Sequence, residues 1–290
     1  MMHKSEHKSD GCLRIASIQH ENCTNINRQN LGSNMTTPTP IPDTTRFSEE
    51  EWQLRIQLAA CYRAFVHYGW TDSIFTHLSA RVPGHSNQYL INPYGLLFHE
   101  ISASNLIKVD FDGNLIEGDY SYNEAGHSIH SAVLSARPDI QVVLHSHTRA
   151  GMAVSCMKCG LLPLTQQANA IRDLVCYHEY GIARNNDEEC QRLGQDLADK
   201  CIMIMHNHGL LTVGRSVAEA FYYLYTVESA CKVQVDVLAS GREFVTPRED
   251  MIDQFAQEGL PPADQPHEYV NMAWDAVIRL LDEKDPSYRD

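Results

Sequence analysis

The feature that most constrains this chain is a pair of short apolar runs that each end on histidines. Val142-Val143-Leu144 leads directly into His145-Ser146-His147, and Ile202-Met203-Ile204-Met205 leads into His206-Asn207-His208-Gly209. Runs this short fit buried strands rather than helices. Residues two apart on a strand lie on the same side of it, so His145 and His147 share a side. His208 follows a second strand and adjoins Gly209, whose missing side chain lets a ligand and another backbone come close. Strand ends are where α/β sheets carry their sites. Three neutral imidazoles with a fourth position open make the ligand set of a catalytic metal site. Any one of these histidines alone reads more simply as packing or surface, so the trio is the candidate rather than its members.

The pattern around these runs alternates strands with helices. Ser48 and Glu51 have capping-box spacing, with Phe47 placed for a hydrophobic staple, and the helix they open should stop at Gly69. Strand-like runs follow at Phe75–Val82, Tyr89–Asn92 and Leu106–Asp110, the last turning through Asp112-Gly113 into Asn114–Glu117. Helices are expected over Asn123–Ala136, Glu188–Lys200, from Ser216 to about Ser240, and over His267–Leu281. The hairpin breaks a purely parallel order, which points to a mixed sheet flanked by helices. Residues 1–45 are polar and proline-spaced at their end, and are expected to be a mobile tail. Residues 46–242 form the expected domain and 243–290 a C-terminal extension whose helix packs on the domain or on a neighbouring subunit.

The formal net charge of −14 argues against a nucleic-acid or anionic-membrane partner, both of which need a cationic footprint. An anionic substrate stays open, because a metal supplies positive charge locally. Apolar runs fall far short of the ~20 residues a membrane span needs, and Met1–Asp10 is too polar for a signal peptide. Of nine cysteines, only Cys156 and Cys159 make a C-x-x-C, with no second pair to complete a zinc site. Reduced thiols in the cytoplasm are therefore expected.

Several stretches resemble the class II aldolase/adducin family over roughly residues 50–242. They are His145-Ser146-His147-Thr148, Asn207-His208-Gly209-Leu210, Ala153–Pro163, Ala220-Phe221-Tyr222-Tyr223 and Ala239-Ser240-Gly241. Within the family the chain is most similar to adducin heads and their bacterial relatives. The resemblance implies a three-layer αβα fold with a central mixed, mostly antiparallel sheet. It implies that His145, His147 and His208 ligate a divalent cation, zinc most often, with manganese or iron as alternatives. It also implies a homotetramer with the site at a subunit boundary, and a metal acting as Lewis acid on an enediolate during C–C cleavage.

The chain departs from the family's aldolases at the acid/base. They carry an acidic residue four positions before the histidine matching His130, and here that position is Gly126. Glu124 lies two residues earlier, about 200° away around a helix. His127 and His130 share a helical face, and two roles stand open for them: replacing the acid, or packing and hydrogen-bonding behind the metal ligands. The phosphate pocket is altered as well. Glu124 and Ala125 match a serine pair, His77 matches an asparagine, and Tyr94 matches a threonine just before Gly95. A carboxylate there would repel a phosphate. His206 reads as a surface or supporting residue, and whether His178-Glu179 reaches the site is not decided by sequence.

Two functions follow. One is a metal-dependent lyase, aldolase or decarboxylase, acting on a small unphosphorylated hydroxy-carbonyl or hydroxy-acid, with Glu124, His127 and Tyr94 expected to handle protons. The other is a non-catalytic adducin-like binding or scaffold protein, which the glycine at 126 supports. A cytoskeletal role is not expected, since the chain ends soon after the head, has no lysine-rich tail and is acidic.

Overall fold

The computed structural model describes residues 46–258 and 268–290. The expected mobile tail at 1–45 lies outside them. Helix α1 (Glu49–Tyr68) starts where its capping chemistry places it: the Ser48 side chain accepts from the Glu51 N–H, and Phe47 stacks on Trp52. It ends at Gly69, in the left-handed conformation at φ 70°, whose N–H closes on Phe65 and Val66 carbonyls. Strands β1 (His77–Arg81), β2 (Gln88–Ile91), β3 (Ile107–Asp110) and β4 (Leu115–Glu117) form an antiparallel meander. Then come α2 (Glu124–Ala136), β5 (Val142–Ser146), α3 (Arg149–Ser155), α4 (Gln166–Ala170), β6 (Val175–His178) and α5 (Asp187–Leu197). The hairpin β7 (Ile202–Met205) and β8 (Gly209–Gly214) leads to α6 (Val217–Ala239), α7 (Glu249–Glu258) and α8 (Glu268–Lys284).

The eight strands make one sheet in the order β4-β3-β2-β1-β5-β8-β7-β6, antiparallel throughout except for the parallel pair β6–β7. The mixed, mostly antiparallel αβα architecture expected from the sequence is the one observed. Strand alternation divides the core in two. Leu78, Leu144, Ile202, Ile204 and Leu210 face a layer containing α1, α3, α6 and α8. Val143, Met203, Met205, Leu211 and Val213 face α2 and α5. Opposite parity on β1 and β5 therefore turns His77, Ser79 and His145 toward α2, and His77 pairs directly with His145 across the strands. Helix α8 packs on α6 and α1, with Trp274 buried and its indole N–H donating to Gln57.

Candidate metal centre

Three elements deliver the trio. His145 sits near the C-terminal end of β5, His147 follows one residue beyond that strand, and His208 closes the three-residue turn between β7 and β8. That turn is possible because Asn207 adopts a left-handed backbone at φ 57°, a conformation asparagine tolerates better than most residues. Ligand nitrogens of His145, His147 and His208 all lie within 4.8 Å of one another. At Gly209 any Cβ would stand 2.3 Å from the Ser146 carbonyl oxygen. A glycine is thus required where β8 meets the strand that carries His145.

The hydrogen bonds on the far side of each ring define what the near side offers. His145 Nδ1 is 2.9 Å from the Leu210 carbonyl, which only accepts, so this nitrogen carries the proton. His147 Nδ1 is 2.9 Å from Asp72 Oδ2, which draws the proton to Nδ1 in the same way. Both neutral rings then present Nε2 lone pairs, and these two nitrogens are 2.8 Å apart. Two lone pairs at that separation repel unless a cation lies between them. Tetrahedral zinc at ordinary bond lengths sets its ligand nitrogens about 3.3 Å apart, close to this spacing. The donor set and its supporting acceptors fit a divalent metal.

Burial disfavours the charged form of His145 and His208, and metal ligands must be uncharged imidazoles. His208 is held down to about 4 by burial first, with His147 and His178 adding to it. His145 lies well below the usual histidine range, again through burial first and then neighbouring His208, His77 and His147. Two further imidazoles back the trio. His77 stacks on His145 with centroids 5.1 Å apart, and its Nδ1 is 2.9 Å from His130 Nε2. His130 Nδ1 lies 2.5 Å from Ser79 Oγ.

Other singled-out residues lead elsewhere. Glu124 is exposed and ion-pairs with Arg184. His127 Nδ1 bonds the Tyr89 hydroxyl at 2.6 Å, and its ring packs by Tyr122 in a polar cleft that Glu124 also lines. Tyr94 is partly exposed, its N–H donating to the Ser121 carbonyl. No hydrogen bond, ion pair or ring contact among the described residues joins these three to the trio. His206 donates from Nδ1 to the Ser155 carbonyl at 3.0 Å and stacks on Tyr177. His178 has both ring nitrogens engaged, Nδ1 at 2.7 Å from Asp196 and Nε2 at 2.9 Å from Glu189. Sequence reasoning missed Asp72 as a partner of His147, because nothing in the chain links positions 72 and 147 before it folds.

With this geometry in hand, known proteins place the chain. The family described as Class II Aldolase and Adducin N-terminal domain matches residues 56–235. The chain belongs to that family. An aldolase II superfamily protein from Pseudomonas syringae is 44% identical, with 86% of this chain and 99% of that one covered, at a TM-score of 0.80. L-fuculose 1-phosphate aldolase from Glaciozyma antarctica is 28% identical over 88% of this chain and 98% of its own, at a TM-score of 0.72. Mouse alpha-adducin is 41% identical across 73% of this chain, a match that spans 30% of the adducin.

Proposed function

We propose that this class II aldolase/adducin family member is a divalent-metal-dependent carbon–carbon lyase acting on a small unphosphorylated hydroxy-carbonyl or hydroxy-acid substrate. The observation that carries the reading is the convergence of three imidazoles, two of which, His145 and His147, have their outer nitrogens already fixed by the Leu210 carbonyl and Asp72. His145, His147 and His208 would hold the cation, with zinc favoured and manganese or iron as alternatives. When bound, the metal supplies Lewis-acid stabilisation of an enolate-like anion, the intermediate that aldol cleavage and decarboxylation share. The chain's own residues orient and insulate that site. Asp72 and the Leu210 carbonyl hold two rings in the ligating tautomer, and the buried His77–His130–Ser79 chain closes the side toward α2. An unphosphorylated substrate is favoured because Glu124 matches a phosphate-binding serine of the family's aldolases, and a carboxylate there would repel a phosphate. A homo-oligomer, tetramer favoured, and a cytoplasmic location belong to the same proposal.

The test is direct. Protein purified without added metal should take up one zinc per chain, and His208→Ala should not. Loaded protein in deuterated water should exchange the carbon-bound protons of dihydroxyacetone, a readout that needs no knowledge of the full substrate. Uptake of zinc without exchange of this or other hydroxy-carbonyl compounds would favour the second reading, a binding protein that retains the metal. That reading has its own support in the likeness to alpha-adducin and in the glycine at position 126.

A further inference from the structure

Helix α2 meets strand β1 at a point where only a glycine fits. A Cβ built on Gly126 would stand 2.5 Å from Cδ2, 2.7 Å from Nε2 and 2.8 Å from Cγ of His77. Gly126 is the third residue of α2, and its N–H is capped by Asn123 like that of an ordinary first-turn residue. Nothing in its backbone calls for glycine, so the imidazole of His77 is what forbids a side chain there. That ring is nearly wholly buried and is wedged between His145, on which it stacks at 28°, and His130. The link from His130 to Ser79, both wholly buried, fixes it further. His77 Nδ1 is used in this chain, and Nε2 has no hydrogen-bond partner among the described residues.

We infer that the polar group facing a ligand at the trio comes from β1 rather than from α2, and that His77 Nε2 is a substrate-positioning contact. This rests on reading the trio as a metal centre. The chain of three groups has two complete hydrogen-bond arrangements. If the Ser79 hydroxyl donates to His130, then His130 donates to His77, and Nε2 of His77 carries a proton to offer. If His130 donates to Ser79, then His77 donates to His130, and Nε2 offers a lone pair. His77 can therefore donate to a carbonyl oxygen or accept from a hydroxyl with no net charge in either case. Such a group suits a neutral hydroxy-carbonyl and gives nothing to a phosphate that needs a cation. A side chain on α2 could not do this, because the ring fills its space.

Two measurements on the full chain test the assignment. In open surroundings a helical Gly→Ala change stabilises. Here Gly126→Ala in the metal-free protein should lower the melting temperature, whereas in a His77→Ala background the same change should raise it. Stabilisation in the wild-type background, or simple additivity, overturns the shared volume. The second measurement is calorimetric binding of acetohydroxamate, a two-oxygen metal ligand, to the zinc-loaded chain. His77→Ala should keep its zinc and bind the hydroxamate at least tenfold more weakly, and Ser79→Ala should weaken it less. Equal binding by wild type and His77→Ala sinks the positioning role, and failure of the wild type to take up zinc sinks both this and the metal reading. Hydroxamate binding without proton exchange on dihydroxyacetone or other hydroxy-carbonyl compounds would favour the binding-protein reading and leave the assignment of His77 standing.

Discussion

At the scale of single residues, the centre depends on groups that never touch a ligand. Asp72 is half exposed, yet it sets which nitrogen of His147 faces inward. Asp72→Asn should leave the fold intact and weaken zinc affinity by roughly 10–100-fold, the usual range for losing a ligand's outer partner, as read by competition with a chromophoric chelator. Gly209→Ala acts through the backbone instead. Its methyl would press on the Ser146 carbonyl oxygen, and overpacking of that kind costs about 1–3 kcal/mol, with zinc affinity falling alongside stability in denaturant titrations. The imidazoles also set a pH dependence. His208 takes up a proton near its usual value of 6.5 when the chain is unfolded but only at about 4 when folded. Between those values the unfolded state binds more protons, so stability falls as pH drops through the window. His77, His130 and His145 are shifted in the same direction, with burial the largest cause for each. The denaturation midpoint of the chelator-stripped protein should therefore be lower at pH 5 than at pH 7.5. An unchanged midpoint would mean that these rings are open to water.

At the scale of elements, the β7–β8 turn is the piece that aims His208. Asn207 supplies the left-handed residue, and its N–H donates to the Ser155 carbonyl at the end of α3. Asn207→Gly should preserve zinc affinity, while Asn207→Val, β-branched and averse to positive φ, should lose stability and metal together. A thermal melt paired with a zinc titration separates these outcomes. Elements with a clear start, stop or period were legible from sequence: α1 from Ser48 to Gly69, α6 from Ser216, and the apolar strands entering the histidines. The rest lacked such signals. Strand β6 is four residues at a sheet edge with little alternation, and β8 is bounded by glycines immediately after the histidine motif that drew the eye. Helices α3 and α4 are seven and five residues long, too short for a periodic stripe. At the site, the trio was legible because two strands announce it. The exclusion between His77 and Gly126 was not, since it exists only once β1 packs against α2.

For the whole molecule, the proposed oligomer needs exposed apolar residues that a second copy can cover. Tyr180 and Ile182 follow β6 closely and are 64% and 70% exposed. Each alone would be unremarkable on a monomer. Together they are good contact residues for a second copy. Assembly must still overcome repulsion, because every copy carries a formal charge of −14. Screening weakens that repulsion over a Debye length of about 8–10 Å near physiological ionic strength. The prediction is a tetramer in multi-angle light scattering whose dissociation at high dilution is suppressed by added salt. Ile182→Asp adds charge where apolar contact is expected, so it should shift the protein toward smaller species while leaving its circular dichroism spectrum unchanged. A wild-type chain that stays monomeric at all salt and protein concentrations would show that the centre is complete within one copy. The substrate would then meet only His77 and its neighbours, and not a residue from a second chain.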